Sequence, residues 1–179
     1  YFPSIYWYKL LIENPDNLLI DLGTWYEKQS FRNRCLIGGV NKIEALIIPV
    51  SHKSQKNLNQ NTEVSYETSW RRIHHHAIKS AYKSSPYFDY YEHQIDEFYK
   101  NDFQYLWDWQ KASIELVNKI IKIPFPELIV NFIEPNNSEY LDYRNSIHPK
   151  KGIPQGLETN EYYQVFDDKH GFRKGLSIL

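Results

Sequence analysis

DLGTWYEKQSFRNR, residues 21–34, is a polar loop between two predicted strands. It begins with a carboxylate, Asp21, and its second half carries three cationic side chains, Lys28, Arg32 and Arg34. The apolar run NLLID that leads into it is typical of a buried strand that ends in an acid at a sheet edge. Because open α/β sheets bind ligands at the C-terminal ends of their strands, we expect Asp21 to lie in a ligand site.

The segment FRNRCLI, residues 31–37, reads as the second strand. With a side-chain period of two, Arg32 and Arg34 fall on one face of that strand. Two adjacent guanidiniums repel unless an anion or a carboxylate lies between them, and each guanidinium can pair with phosphate or carboxylate through two hydrogen bonds. Two interpretations follow: a structural ion pair from Asp21 to one arginine, or a basic surface that binds an anionic ligand.

Composition excludes several classes of protein. The chain has 179 residues, enough for one domain with a core, and no composition break divides it. With 22 acidic against 21 basic residues, no overall charge favours nucleic acid or an anionic membrane. No apolar run approaches the roughly 20 residues of a membrane-spanning helix. The single cysteine, Cys35, lies among apolar neighbours and indicates a buried thiol in a reducing, cytoplasmic protein.

The first third of the chain is expected to form a short helix and a hairpin. An X-Pro step precedes the helix, and Ile5, Tyr8 and Ile12 would share its inner face. The strand that carries the two arginines and the run IEALIIPV, residues 43–50, flank the turn GGVNK and form the hairpin. Residues 51–68 are rich in Asn, Lys, Gln and Ser, so we expect an exposed, mobile loop there.

Three helices are predicted next, at residues 70–82, at residues 87–99 and from an Asp102 cap to Lys122. Their core stripes would consist of Trp70, Ile73, Ala77 and Ala81 on the first helix and of Leu106, Trp109, Leu116 and Ile120 on the third. Further strands are expected at residues 127–133 and 162–166. This order favours a single α/β domain with a small mixed sheet, an N-terminal hairpin and a cluster of about three helices.

Histidines are the clearest candidates for proton transfer. In the triplet at residues 74–76, His74 borders the predicted buried face, where its ring could reach a pocket. A metal site is not favoured, because the triplet lacks the i, i+4 spacing of HExxH. His170 precedes a glycine that permits a turn or a close approach to a ligand, and its imidazole titrates near neutrality, so it is either a general base or a turn residue in solvent.

A second polar segment, DYRNSIHPK, holds Arg144 and lacks a helical or strand period. Loops with many hydrogen-bonding groups often carry function, so this one is either part of a ligand site or a solvated surface loop. No nucleophile elbow, P-loop, GxGxxG or CxxC motif occurs in the chain. The sequence therefore contains none of these motifs from which a reaction could be inferred.

Several segments of the chain resemble segments of a known protein family and occur in the same order as in that family. They are YFPSIYWYKLL, KQSFRNRCLI, IIPV, WRRIHHHAIKSAYKSSPYFDYY, FQYLWDW, DYRNSIHPK, YYQVFDDKHGF and LSIL, and together they resemble the WbqC-like protein family. The resemblance implies one domain over residues 1–179, which we expect to be trimmed at both termini. Positions that match recurring family motifs include Pro3, Lys28, Arg32, Asn33, Arg34, Trp70, His74, Tyr82, Pro86, Tyr87, Gln164, Phe166, His170 and Ser177.

Members of the family that the chain resembles are bacterial, and the member that gives the family its name lies in a gene cluster for O-antigen polysaccharide. From that context, the first hypothesis is an enzyme that transfers an acyl or aminoacyl group to a nucleotide-linked amino sugar. Lys28, Arg32 and Arg34 would bind phosphate or carboxylate, and His170 or His74 would deprotonate the amine. The other residues expected to contact the ligand are Asp21, Asn33, Tyr82, Arg144 and Gln164.

Alternative functions stay open. One is nucleotidyl transfer, and the other is a non-catalytic binding or assembly role in which the aromatic stretch SSPYFDYYEHQIDEFY docks a partner. We expect a small anionic ligand, no cofactor, no metal, no nucleic-acid partner and no membrane span, and homo-oligomerisation is an open question.

Overall fold

The computed structural model describes residues 1–54, 56–129, 132–134 and 139–178. Within these residues the chain forms helices and short strands in a mixed α/β arrangement, in agreement with the predicted class. The elements are α1 (Ile5–Glu13), β1 (Leu19–Asp21), β2 (Arg34–Gly38), β3 (Ile43–Ile47), α2 (Trp70–Tyr82), α3 (Phe88–Lys100), α4 (Leu106–Ile121), β4 (Glu127–Ile129) and α5 (Asp167–His170). Two single turns of 3₁₀-helix lie at His52–Ser54 and Asn59–Asn61.

The described strands form two separate pairs. β1 and β4 are parallel, with Asp21 opposite Ile129 at their C-terminal ends. β2 and β3 are antiparallel, with Arg34 opposite Ile47, which confirms the predicted hairpin. The C-terminal segment extends the free edge of β2, because the Ser177 N–H donates to the Leu36 carbonyl at 2.8 Å. The polar loop therefore leads directly into the hairpin, and the C-terminal segment is hydrogen-bonded to the same strand of that hairpin.

Helices α2, α3 and α4 pack their aromatic side chains into the main core. Trp109 is fully buried, and its ring lies 5.0 Å from that of Trp70 and 5.3 Å from that of Phe98, both edge-on. Edge-to-face contacts of this kind add to the free energy gained by burying large rings. The other side of the core is the inner face of the hairpin, where Cys35 and Ile37 are fully buried. Burial raises the pKa of the Cys35 thiol to about 12, as expected of an inert core residue.

Three predictions about burial are wrong. Ile73 and Ile12 are both 58% exposed, whereas the neighbouring positions His74 and Leu11 face the core. In each helix the apolar residues fit either of two adjacent faces equally well. Which face is buried therefore depends on the segments that pack against the helix. Residues 51–68 are not uniformly exposed, because Thr62 is fully buried and its carbonyl accepts the N–H of Leu106 at the start of α4. Residues 51–68 have no continuous apolar face, and backbone hydrogen bonds to other segments keep this stretch in place.

The late strands also differ from prediction. β4 covers the start of the strand expected at residues 127–133, and residues 130–131 of that prediction lie outside the described residues. The strand expected at residues 162–166 is wrong, since the chain there is irregular and then turns into α5. The Gln164 backbone N–H donates to Asp167 at 2.8 Å, so this segment is bonded to the first turn of α5 instead of to a strand.

His74 is a buried polar residue of the core and not a border residue. Its side chain is 3% exposed, and its Nδ1 lies 3.2 Å from the Tyr1 hydroxyl. Burial lowers the pKa of His74 to about 4, although a hydrogen bond with the Ile47 backbone acts in the opposite direction. The imidazole is therefore neutral at pH 7, and its contacts come from the protein itself.

This burial makes a testable contribution to the pH dependence of stability. Below pH 6.5 the imidazole of the unfolded chain takes up a proton, whereas His74 in the folded chain stays neutral down to about pH 4. The unfolded state then binds more protons, so the free energy of unfolding falls as the pH drops through this window. We expect a total loss of about 3 kcal/mol from this residue. Denaturant unfolding at several pH values measures it.

The matched control uses the exposed neighbour on the same helix. His74→Gln should flatten the pH dependence between pH 6.5 and 4, whatever its stability at pH 7, and His76→Gln should leave the dependence unchanged. Identical pH profiles for the two variants would contradict the assignment.

Candidate functional site

Arg34 begins β2, whereas Arg32 precedes that strand in a turn, so the prediction that both side chains fall on one face of a strand is wrong. The surroundings of the two arginines also differ. Arg32 forms an ion pair with Glu27, with NH1 2.8 Å from Oε2. No carboxylate of the described residues lies within 4.0 Å of the Arg34 guanidinium, and its Nε is buried without a hydrogen-bond acceptor. Burial raises the pKa of Tyr26, while the positive charges of Arg34 and Arg32 act to lower it. Both arginines are thus near the Tyr26 hydroxyl.

Asp21 ends β1 and is almost fully buried, with a side chain 6% exposed. Its Oδ1 accepts the Gly23 N–H at 2.7 Å, and its Oδ2 accepts the Ile133 N–H at 3.1 Å. The same Oδ2 pairs with NH1 of Arg144 at 2.7 Å. The interpretation in which Asp21 pairs with Arg32 or Arg34 is therefore wrong, because the arginine that reaches it comes from a segment more than a hundred residues away.

Arg144 joins the C-terminal polar segment to this strand end. Besides Asp21 it binds Asp142 through two parallel contacts, at 2.9 Å from Nε and 2.5 Å from NH2. Its NH1 also donates to the Ile133 carbonyl at 2.6 Å. Hydrogen bonds with Arg144 lower the pKa of Asp142. Nearly all donors of this guanidinium are used within the protein, so Arg144 acts as a structural clamp on the loop.

The remaining predicted ligand contacts have diverse environments. Lys28 is exposed, on the loop before β2. Asn33 is 5% exposed and donates from Nδ2 to the Ile48 carbonyl at 3.0 Å, which fastens the two strands of the hairpin. Gln164 forms two hydrogen bonds with the backbone of Arg173, at 2.7 and 2.9 Å. Burial, the largest cause, raises the pKa of Tyr82, and its hydroxyl has a hydrogen bond with the Gly38 backbone.

His170 lies at the far end of the hairpin from the arginines. Its Nε2 lies 3.0 Å from the Val40 carbonyl oxygen, to which it donates. Val40 belongs to the turn after β2, whereas Arg34 begins β2, and a five-residue strand separates its ends by roughly 13 Å. The predicted residues therefore lie in several places: Arg32 and Arg34 at one end of the hairpin, Tyr82, Gln164 and His170 near the other end, Asp21 with Arg144 at the end of β1, and His74 in the core.

Two concavities flank α2, and none of the predicted site residues lines them. One has a volume of about 740 Å³ and the other about 570 Å³, and Arg72 and His75 line both. His75 is also paired with Asp96 of α3. His75 is not among the residues that the sequence predicts for the site. The signal that was available is the histidine triplet followed by an acidic helix, since antiparallel helices place such side chains opposite each other.

Comparison with known proteins identifies a family but no individual protein that matches the chain. The model of the WbqC-like protein family matches residues 1–142, most of the chain. This match includes the two arginines at one end of the hairpin and the whole of α2, and it ends before Arg144, Gln164 and His170. No curated protein and no solved structure matches the chain. Among the described residues, no helix is long and apolar enough to cross a membrane, and no cluster of three or more His, Cys, Asp or Glu could hold a metal ion.

The clamp on Asp21 can be tested through stability. Replacing Arg144 by Met leaves a nearly buried carboxylate with only two backbone donors. We expect the free energy of unfolding to fall by roughly 2–4 kcal/mol, because the lone charge stays desolvated. Chemical denaturation at pH 7 measures the change.

Arg173→Met is the matched control, since the Arg173 side chain is exposed, and it should change stability by less than about 0.5 kcal/mol. The double variant Asp21→Asn/Arg144→Met should lose less than the sum of the single variants. Equal effects of Arg144→Met and Arg173→Met would show that the clamp contributes nothing.

Proposed function

The chain belongs to the WbqC-like protein family, and from the charges at the start of β2 we propose that it binds a small anionic substrate in the assembly of bacterial cell-surface polysaccharide. The family name supports a link to O-antigen synthesis. The reaction proposed is transfer of an acyl or aminoacyl group to a nucleotide-linked amino sugar. The phosphates or the carboxylate of the substrate would bind at Arg34.

A single observation carries this proposal: the charge on Arg34 has no counter-charge in the part of the chain that the structure describes. Within the described residues no acid pairs with it, and its buried Nε has no acceptor. Leaving a buried donor unsatisfied costs on the order of 1–3 kcal/mol. A phosphate or carboxylate would supply the missing counter-charge by pairing with the guanidinium. The neighbouring Arg32 differs, since Glu27 already neutralises it.

The groups around Arg34 suit recognition of an anion at the protein surface. The Tyr26 hydroxyl is close enough to Arg34 for the two to interact electrostatically, and it can donate a hydrogen bond. Lys28 is exposed on the same loop and adds a mobile positive charge. The ion pair of Arg32 with Glu27 links the two halves of this loop. We therefore assign the direct ligand contacts to Tyr26, Lys28 and Arg34.

Neither predicted base is placed to serve this anion. His74 is neutral in the core, with its ring engaged by Tyr1 and Ile47. His170 lies at the other end of the hairpin, and its Nε2 is bonded to a backbone carbonyl. Because neither histidine is near Arg34, the arrangement of side chains supports the binding of a ligand at Arg34 more than it supports a particular transfer reaction. Nucleotidyl transfer, the other enzymatic hypothesis, would use the same anion contacts.

A non-catalytic role has one observation in its favour. At the start of α3, Tyr87 is 80% exposed and Tyr90 is 76% exposed. Tyrosine is enriched at the energetically dominant positions of protein interfaces. If the protein acts by assembly, this aromatic surface is the expected contact.

A thermal-shift series with nucleotides, nucleotide-linked sugars, acyl-CoA and amino acids tests the proposed function. At a concentration 100 times Kd, a bound ligand adds about 2.7 kcal/mol, which raises Tm by roughly 5–10 °C in a chain of this size. We expect such a shift from a nucleotide-linked sugar. Arg34→Met should abolish the shift, and Arg173→Met should retain it.

Two outcomes would contradict the proposal. A ligand that shifts Tm of the Arg34→Met variant as much as that of the wild type would place the anion elsewhere. No shift with any ligand, together with a copurified partner that is lost on Tyr87→Ser/Tyr90→Ser substitution, would favour the assembly role.

A further inference from the structure

An imidazole and a carboxylate meet on the outer side of α2, apart from the anion contacts at β2. His75 Nε2 lies 2.6 Å from Asp96 Oδ1, and both side chains are partly open to solvent, at 29% and 34% exposed. Lys79 lies behind the pair, 3.6 Å from the same Asp96 oxygen and 2.5 Å from Glu92. The carboxylate is thus fixed from two sides. It can orient the histidine ring.

Orientation by Asp96 determines which nitrogen of His75 faces a ligand. A carboxylate accepts only, so the Nε2–H of His75 donates to it, and the neutral ring carries its lone pair on Nδ1. Among the described residues Nδ1 has no hydrogen-bond partner. An imidazole held at one nitrogen by a carboxylate, with the other nitrogen free, has the geometry of a proton acceptor.

Arg72 supplies a free positive charge one helical turn before His75. It is exposed, and in the described part of the chain it has neither an ion pair nor a hydrogen bond. Its neighbours are engaged: Arg71 donates to the Asn101 carbonyl and lies over the Tyr66 ring, and Lys100 pairs with Glu97. Arg72 is therefore the cation on this face that is available to a ligand.

Arg72 and His75 line both of the concavities beside α2. Their volumes, about 740 and 570 Å³, are within the range of small-molecule sites. Arginine and histidine side chains outnumber the acids Glu44 and Asp96 in their walls, and Asp96 is already neutralised. A ligand in either concavity is therefore within reach of both Arg72 and His75.

We propose that this face of α2 binds a phosphate-bearing small molecule, whose phosphate pairs with Arg72 and whose hydroxyl or amine donates a hydrogen bond to Nδ1 of His75. Asp96 acts as a positioning residue, because it holds the ring in the tautomer that can accept. The site does not depend on the anion proposed at Arg34, and each can fail without the other.

Nuclear magnetic resonance of the ¹⁵N-histidine-labelled protein tests the proposal, with inorganic pyrophosphate as the probe and His75→Gln to assign the signal. The free protein should show His75 with its proton on Nε2, and pyrophosphate should shift its resonances saturably. Arg72→Met should weaken this binding by roughly tenfold or more. Because Arg72 is exposed and unpaired, the variant should fold, and Arg72→Gln repeats the test with a polar side chain.

The controls separate this site from the proposed function and from a purely structural ion pair. Arg34→Met and Arg173→Met should leave the pyrophosphate shift of His75 unchanged. Asp96→Asn should increase the population of the Nδ1-protonated tautomer, a change that loss of helix packing alone would not produce. A His75 signal that pyrophosphate does not move, a shift that survives Arg72→Met, or an Nδ1-protonated ring in the wild type would each overturn the proposal.

Discussion

The burial of Trp109 at the junction of three helices is the constraint on which the fold depends. Its indole makes edge-on contacts with the rings of Trp70, Phe98 and Phe103, and its Nε1–H donates to the Tyr66 hydroxyl at 3.0 Å. The large ring is therefore removed from water without leaving its N–H unsatisfied. Since α2, α3 and the segment before α2 all contact this residue of α4, their relative positions follow from its packing.

The packing of this core also explains why several motif residues carry no surface chemistry. The core is aromatic and includes polar side chains that bond to other parts of the protein: His74 bonds to Tyr1 and the Ile47 backbone, and Nδ2 of Asn33 donates to the Ile48 carbonyl. Desolvation keeps His74 neutral and the Cys35 thiol protonated at pH 7. The ligand contacts that we propose are therefore at side chains that the core does not engage. Arg34 at the hairpin and Arg72 with His75 on α2 are such side chains.

Much of the fold could be predicted from local patterns. The bounds of α2, the hairpin across GGVNK and the acid at the end of β1 all follow from spacing and turn residues. Errors arose where two faces of a helix were about equally apolar, as at Ile73 and His74. A buried histidine cannot be distinguished from a surface one until its two partners are known, and these come from residues 1 and 47.

In the candidate site, too, some features could be predicted from the sequence and others depended on tertiary contacts. The sequence by itself determined the family, the α/β class and the hairpin of β2 and β3, because these depend on residue order, on the two-residue period and on the turn residues. Only the tertiary structure decided that Asp21 binds Arg144, that Arg34 has no counter-charge among the described residues, and that His75 faces Asp96. Each of these facts depends on which distant segment comes within about 3 Å of a charged atom, and local periodicity contains no information about that distance.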